Sequence, residues 1–178
     1  SAAAIAKLPF KPALEPTEGV TAEQVGDFTF SRLPGVKLVF VNGHFSPKLS
    51  CLKNLPADVK IGSLAAALAQ DAAFLEKHLG KYAGSADNGF TALNQAFFLD
   101  GGFVHVPAGK NVETPIQFVY ISTAKPAGMT IHPRNLVIAE ANSSVTVLES
   151  YVSLGGSQYF TNAVTELFAG DNARLEFV

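Results

Sequence analysis

Four histidines, fifteen acidic residues and a single cysteine are the groups in this 178-residue chain whose types lend themselves to chemistry. The histidines are His44, His78, His105 and His132. The interval from His105 to His132 would stack them as metal ligands on a chain repeating in the high twenties. The neighbouring turns argue otherwise. His105 lies 3 residues before the turn that follows it and His132 lies 9 before its own, so the two fall at different points of such a repeat. Each is read as a structural or surface residue. His78 stands near a helix C-terminus, where the dipole favours a cation.

Paired carboxylates would serve acid/base cleavage of glycans. Glu149 and Glu176 sit 8 and 7 residues after their turns and are expected to be near neighbours. Glu113, Glu140 and Glu166 do not align with them. Cys51 cannot form an internal disulfide or hold an iron–sulfur cluster, whose usual ligands are four cysteines. No base stands at a spacing that would activate it, and it is expected to be a small buried hydrophobe. Gly101-Gly102 and Gly155-Gly156 lack the lysine and hydroxyl of a phosphate-binding loop. None of these groups is expected to be catalytic, cofactor-binding or metal-ligating, and no enzyme activity is expected.

These groups must be positioned by three zones. Residues 1–26 hold Pro9, Pro12 and Pro16 with no periodicity and read as a partly disordered arm, with one helical turn over Thr21–Val25 capped by Thr21. Residues 27–99 read as a mixed helical and hairpin region. Lys37–Val41 is a strand, and Asn42-Gly43 turns it back into His44-Phe45. Asp58–Ile61 is a further short strand. Ser63 caps a helix whose face is Leu64, Leu68, Ala72, Leu75 and Leu79, stopped by Gly80. A second helix starts near Asp87 or Asn88, with Phe90, Leu93 and Phe97 on one side, and ends by Asp100-Gly101-Gly102.

From residue 100 onward, helical spacing disappears. Short runs of Val, Ile, Thr and aromatics follow: Phe103–Val106, Ile116–Ile121, Leu136–Ala139, Val145–Leu148, Val164–Leu167 and Arg174–Phe177. Turns starting at Ala108, Ala141 and Ala169 repeat at intervals of 33 and 28, the longer one holding an insertion at Lys125–Gly128. That periodicity predicts an α+β chain whose N-terminal helical and hairpin region leads into the first coils of a right-handed parallel β-helix. A β-sandwich is the competing fold. Only about three coils fit before Val178, and no cap follows, so a fragment or a partner on the last coil is expected.

Composition excludes other classes. The chain is 48% apolar and carries a net charge of −2, which rules out a disordered polyanion or polycation. Positions 99–178 hold four Lys and Arg against seven Asp and Glu, the reverse of a nucleic-acid footprint. The longest apolar runs are far short of the roughly 20 residues of a membrane span. Cysteine usage points to a reducing compartment.

Several long motifs resemble one family. They are Leu38-Val-Phe-Val-Asn-Gly43, Ala92-Leu-Asn-Gln-Ala-Phe-Phe-Leu-Asp-Gly101, Asp100-Gly-Gly-Phe-Val-His-Val-Pro-Ala-Gly109, Pro115-Ile-Gln117, His132-Pro-Arg-Asn135, Val147-Leu-Glu-Ser-Tyr-Val152 and Tyr159-Phe-Thr-Asn-Ala-Val-Thr-Glu166. The sequence is similar to the SufB/SufD family of iron–sulfur cluster assembly proteins, and the first motif resembles the SufD branch. The resemblance implies a scaffold built on a parallel β-helix, pairing with a SufB-like subunit and an ATPase of the SufC type, in a bacterial cytoplasm or a plastid stroma. Cluster chemistry and ATP are then handled through other subunits, with no cofactor in this stretch. Family members extend beyond Val178, so no functional residue is carried over. His132–Asn135 is read as turn structure. The alternatives are a general protein-interaction solenoid, with self-association of the chain, or a carbohydrate-active β-helix.

Overall fold

A computed structural model describes residues 7–28, 35–53, 55–84, 86 and 88–178. Its architecture is mixed α/β, with short helices packed on three sheets.

The strands are β1 (Lys11–Pro12), β2 (Val36–Val41), β3 (His44–Phe45), β4 (Lys60–Ser63), β5 (Gly102–Val106), β6 (Ile116–Ser122), β7 (Met129–Ile131), β8 (Arg134–Ala139), β9 (Ser144–Ser153), β10 (Tyr159–Thr161), β11 (Val164–Ala169) and β12 (Arg174–Phe177). The helices are α1 (Ala22–Phe28), α2 (Leu64–Gln70), α3 (Ala72–Leu75) and α4 (Gly89–Phe97). Three sheets form, in the orders β1-β7-β10, β11-β8-β5-β4 and β12-β9-β6-β2-β3.

From β5 onward the chain visits the three sheets in a fixed rotation, and each strand pairs in parallel with the one a full round earlier. Phe103 pairs with Leu136, Ile116 with Val147 and Met129 with Tyr159, so the offset in sequence falls from 33 to 31 to 30. The next round keeps 30, as Ser144 pairs with Arg174. Two of the three surplus residues of the first round therefore lie between Val106 and Ile116, and one between Ser122 and Met129. The expected insertion at Lys125–Gly128 accounts for only that last one.

The sequence periodicity was also out of step by two residues. Ala169 pairs with Ala139, so Asp171 is the counterpart of Ala141. The aligned turn residues are Gly109, Asn142 and Asn172, all at positive φ (72°, 57° and 55°). Successive turns are bonded to one another, with Gly109 N–H donating to Ala141 O and Asn142 N–H to Asp171 O. Asparagine tolerates the left-handed conformation better than most residues, which fits it to these corners.

Alternation sets the core. Val104, Val106, Val137 and Ala139 face Ile116, Phe118, Tyr120, Val145 and Val147 between the sheets. Phe103, Leu136 and Ile138 face the other way and are covered by Leu64 of α2 and Leu75 of α3. On the β2-β6-β9 sheet, Val39, Val41, Val119 and Ile121 lie under Val25 of α1. The short third sheet, β1-β7-β10, has no counterpart in the sequence pattern, because strands of two and three residues leave no periodic trace.

The N-terminal segments supply the first strand of each sheet: β1 beside β7, β2 beside β6, and β4 antiparallel to β5. The described part of the arm is therefore tied down. Thr21 Oγ1 accepts the Gln24 N–H as the expected cap, and Gln24 Oε1 accepts the Thr21 N–H. The Asn42-Gly43 hairpin forms as expected, both residues at positive φ. Asp58 instead takes positive φ in a turn, and the strand begins at Lys60.

Two helical expectations are corrected. Leu64–Leu79 is not one helix: Asp71 ends α2 and its carboxylate caps α3 by accepting the Phe74 N–H. In α4, capped by Asn88, the buried residues are Thr91 and Asn94, while Phe90 and Phe97 are 40% and 46% exposed. Asp87 lies outside the described residues.

Candidate functional site

The densest polar construction lies where α4 and the segment after α3 meet the outer face of the β5-β8-β11 sheet. Arg134 opens β8 and Glu166 stands on β11, two residues beyond the register partner of Arg134. Arg134 donates to Glu166 Oε1 from Nε at 3.0 Å and from Nη2 at 2.6 Å, and from Nη1 to Asn94 Oδ1 at 3.2 Å. Both side chains are essentially inaccessible, at 1% and 0%. Three further donors close the carboxylate: the Gly80, Tyr82 and Ala83 N–H groups. Burial works against the charge on Glu166, but these backbone donors and the guanidinium outweigh it and hold the carboxyl below its ordinary value.

Asn94 extends the seam. Its Nδ2 donates to Pro133 O at 2.7 Å and Asn162 O at 2.8 Å. Asn162 returns a bond to Phe90 O at 2.9 Å. α4 is thus fastened to two successive rounds of the sheets through its polar face, which frees its phenylalanines for the surface. His132 lies beside this seam. Asn162 Nδ2 points at its Nδ1, which leaves Nε2–H to donate to Thr130 Oγ1 at 3.2 Å. Burial lowers its affinity for a second proton. The motif His132-Pro-Arg-Asn135 is therefore one of docking contacts, since Asn135 also accepts the Gly102 N–H at 2.7 Å.

A second network lies between the sheets. Asn135 accepts the Tyr120 hydroxyl and donates to Glu149 Oε1 at 2.7 Å and Thr165 Oγ1 at 3.1 Å. The Tyr151 hydroxyl donates to Glu149. Phe40, Tyr120 and Tyr151 stack in a column at 4.7 and 5.0 Å between centroids. Burial raises the Glu149 carboxyl above its ordinary value.

The expected Glu149–Glu176 pairing is not formed. Glu176 pairs in register with Thr146, Glu149 turns toward Asn135, and Glu176 binds Arg174 at the surface. The two-residue slip in the turn alignment produced that expectation. Glu113 is exposed, and Glu140 accepts from His105 Nε2 at 2.8 Å. Contrary to expectation, Cys51 is exposed. His44 bonds Ala13 O at 2.9 Å, which ties the arm to the hairpin. Among the described residues, no three His, Cys, Asp or Glu side chains are placed to hold a metal ion. A cleft of about 620 Å³ between β4 and α2 is mainly apolar, with Lys60 and Asp71 3.9 Å apart at its rim. No helix among the described residues is long and apolar enough to cross a membrane.

Asn94 and Asn162, the partners that fasten α4, do not stand out in the sequence. For Asn94 the signal available was its spacing of three from Thr91, which puts two polar residues on one face of α4, and it was masked by the phenylalanines around it.

A parallel-stranded body with a polar seam is the class of protein these features define. Residues 23–118 match the model of the SufBD protein N-terminal region, and residues 120–178 match the SUF system FeS cluster assembly, SufBD core domain. The chain belongs to the SufBD family. It is 31% identical over 153 residues to an iron–sulfur cluster assembly SufBD family protein of Synechocystis, covering 80% of this chain and 33% of that relative. It is 36% identical over 88 residues to the iron–sulfur cluster assembly protein SufD of Bacillus subtilis, covering 49% of this chain and 20% of the relative. To SufB of the same organism it is 34% identical over 83 residues, covering 47% and 17%. The chain therefore spans a third or less of the length of these curated relatives.

Proposed function

We propose that this chain is the N-terminal part of a SufD-type scaffold for iron–sulfur cluster assembly, and that residues 100–178 wind as the opening coils of a right-handed parallel β-helix, with residues 27–99 as the region packed on its start. The observation that carries this reading is the parallel register, held at an offset of 30 to 33 through all three sheets. Its partners are a SufB-like subunit and a SufC-like ATPase, and its role is to hold them rather than to catalyse. The placement is the bacterial cytoplasm or a plastid stroma; one matched relative, from Arabidopsis, is named as chloroplastic.

Both named branches match at similar identity, so the SufD assignment rests on the Leu38–Gly43 motif. The test is expression of the full-length protein with SufB- and SufC-like subunits of its own organism. Co-purification of all three, and rescue of a strain lacking SufD but not one lacking SufB, is the expected result. A full-length protein that binds neither subunit overturns the scaffold role, and rescue of the SufB-deficient strain overturns the branch.

A further inference from the structure

The cleft of about 620 Å³ lies along β4, the edge strand of the β11-β8-β5-β4 sheet, against α2 and α3. That volume falls within the roughly 300–1,000 Å³ of small-molecule sites. Its apolar walls are Phe45, Leu55, Val59, Ile61, Phe74 and Phe103, with the three rings coming from three separate elements, β3, α3 and β5. Small residues make the room. Gly62 is the register partner of Phe103, so the sheet face falls away beside that ring, and a Cβ placed on Gly62 would meet nothing within 4 Å. On α2 the facing position is Ala66, which is exposed.

Among the described residues, the charged groups lining this cleft are Lys60 and Asp71. Asp71 is committed to α3, since its Oδ1 accepts the Phe74 N–H at 3.2 Å. Its Oδ2 lies 3.9 Å from Lys60 Nζ, an ion pair too long for a hydrogen bond. The Lys60 ammonium stands 5.8 Å from the centre of the Phe74 ring, so its charge sits over the aromatic wall with its three N–H donors left for a further acceptor. Lys53, exposed between the lining residues Leu52 and Leu55, adds a second cation. An apolar hollow beside a cation with spare donors is complementary to a molecule that is apolar along its length and anionic at one end.

We propose that this cleft binds a single-chain alkyl carboxylate, with the chain lying along Gly62 and Ala66 between the Phe45, Phe74 and Phe103 rings and the carboxylate on Lys60 Nζ. Methylenes leaving water supply most of the affinity, and the ammonium decides which end of the molecule faces outward. The Lys60 side chain is 60% exposed, so its share is that of a surface charge pair. The site stands apart from the Arg134–Glu166 seam and does not rest on the assembly role.

Calorimetric titration of the chain with decanoate and with decanol, each below its aggregation concentration, tests this. Decanoate is expected to saturate at one equivalent. Gly62→Leu and Ala66→Trp fill the cleft and are expected to abolish binding of both ligands. Lys60→Met keeps the stem and removes the charge, and is expected to lower the affinity for decanoate relative to decanol by about fivefold. Should the filled variants fail to fold, amide shifts in the unmodified chain serve instead, with those caused by decanoate expected to centre on residues 59–75. Absence of saturable decanoate binding overturns the site. So does binding that survives both filled variants, a decanoate-to-decanol ratio unmoved by Lys60→Met, or shifts centred elsewhere. A doubled mass in light scattering that Ala66→Trp returns to that of one chain would put a second copy in the cleft and overturn the proposal likewise.

Discussion

Arg134 and Glu166 face each other across neighbouring parallel strands, 2.6 Å from Nη2 to Oε1, and neither is reached by solvent. Each ion has further partners, Asn94 on one side and three backbone N–H groups on the other, so that the charges are surrounded by polar groups rather than by hydrocarbon. Removing one member of such a pair leaves an uncompensated buried charge. Arg134→Met is expected to cost about 3–5 kcal/mol of unfolding free energy, read from urea denaturation. A loss below about 1 kcal/mol would show that the seam is peripheral to stability.

The same carboxylate makes a pH prediction. The Glu166 carboxyl is held below its ordinary value of 4.5 in the fold, so the stability it contributes is present above pH 4.5 and is lost as pH falls through the lowered value. Glu166→Gln is expected to be less stable than the unmodified chain at pH 7, with the gap closing as pH drops from 4.5 toward 3. Parallel curves from matched thermal melts would contradict it.

His132 acts in a higher window. Its proton affinity is lowered by burial, so its contribution is complete above pH 6.5 and declines below it. His132→Phe preserves the ring packing against Phe97 and Phe160 while abolishing titration. We expect that variant to lose less stability than the unmodified chain between pH 7 and 5.5, measured by chemical denaturation at each pH.

Asn94 tests the inverted helix. A reading based on hydrophobic pattern makes it a surface residue, and Asn94→Leu would then be neutral. In the structure it is fully buried and bonds Pro133 O, Asn162 O and Arg134. Asn94→Leu is expected to destabilise by about 2–4 kcal/mol, since buried acceptors and a guanidinium N–H lose their partner. Phe97→Ser, on the exposed side, is expected to cost less.

The turn ladder gives the last prediction. Asn142 holds φ at 57° between strands β8 and β9. Asn142→Gly is expected to be within about 0.5 kcal/mol of neutral, because glycine adopts that conformation freely. Asn142→Val is expected to cost about 1–3 kcal/mol, because a β-branched side chain is strained there. Equal melting temperatures for the two variants would remove the backbone explanation.

Local features were legible in the residues alone. Asn42-Gly43 dictates its own hairpin through backbone freedom, Ser63 caps α2 as expected, and the apolar runs of β5, β6 and β8 mark them as buried strands. These depend on neighbours within a few positions, which a one-dimensional pattern contains. The repeat was legible too, but its phase was not. Ala169 looks like a turn start, and only pairing with Ala139 shows it to be the end of a strand. That slip of two residues is enough to create a false Glu149–Glu176 neighbourhood.

What the chain's order of residues determined by itself was therefore the kind of body this is: short strands and corners in regular recurrence, with family motifs along them. Tertiary structure alone decided which side of α4 is buried, where Arg134 finds its counter-ion, and that the Phe74 ring lies against both His78 and His105. Those contacts join residues remote along the chain, Gly80 and Glu166 among them. Their sign and strength come from burial and from partners on other elements, and neither is written in any local stretch.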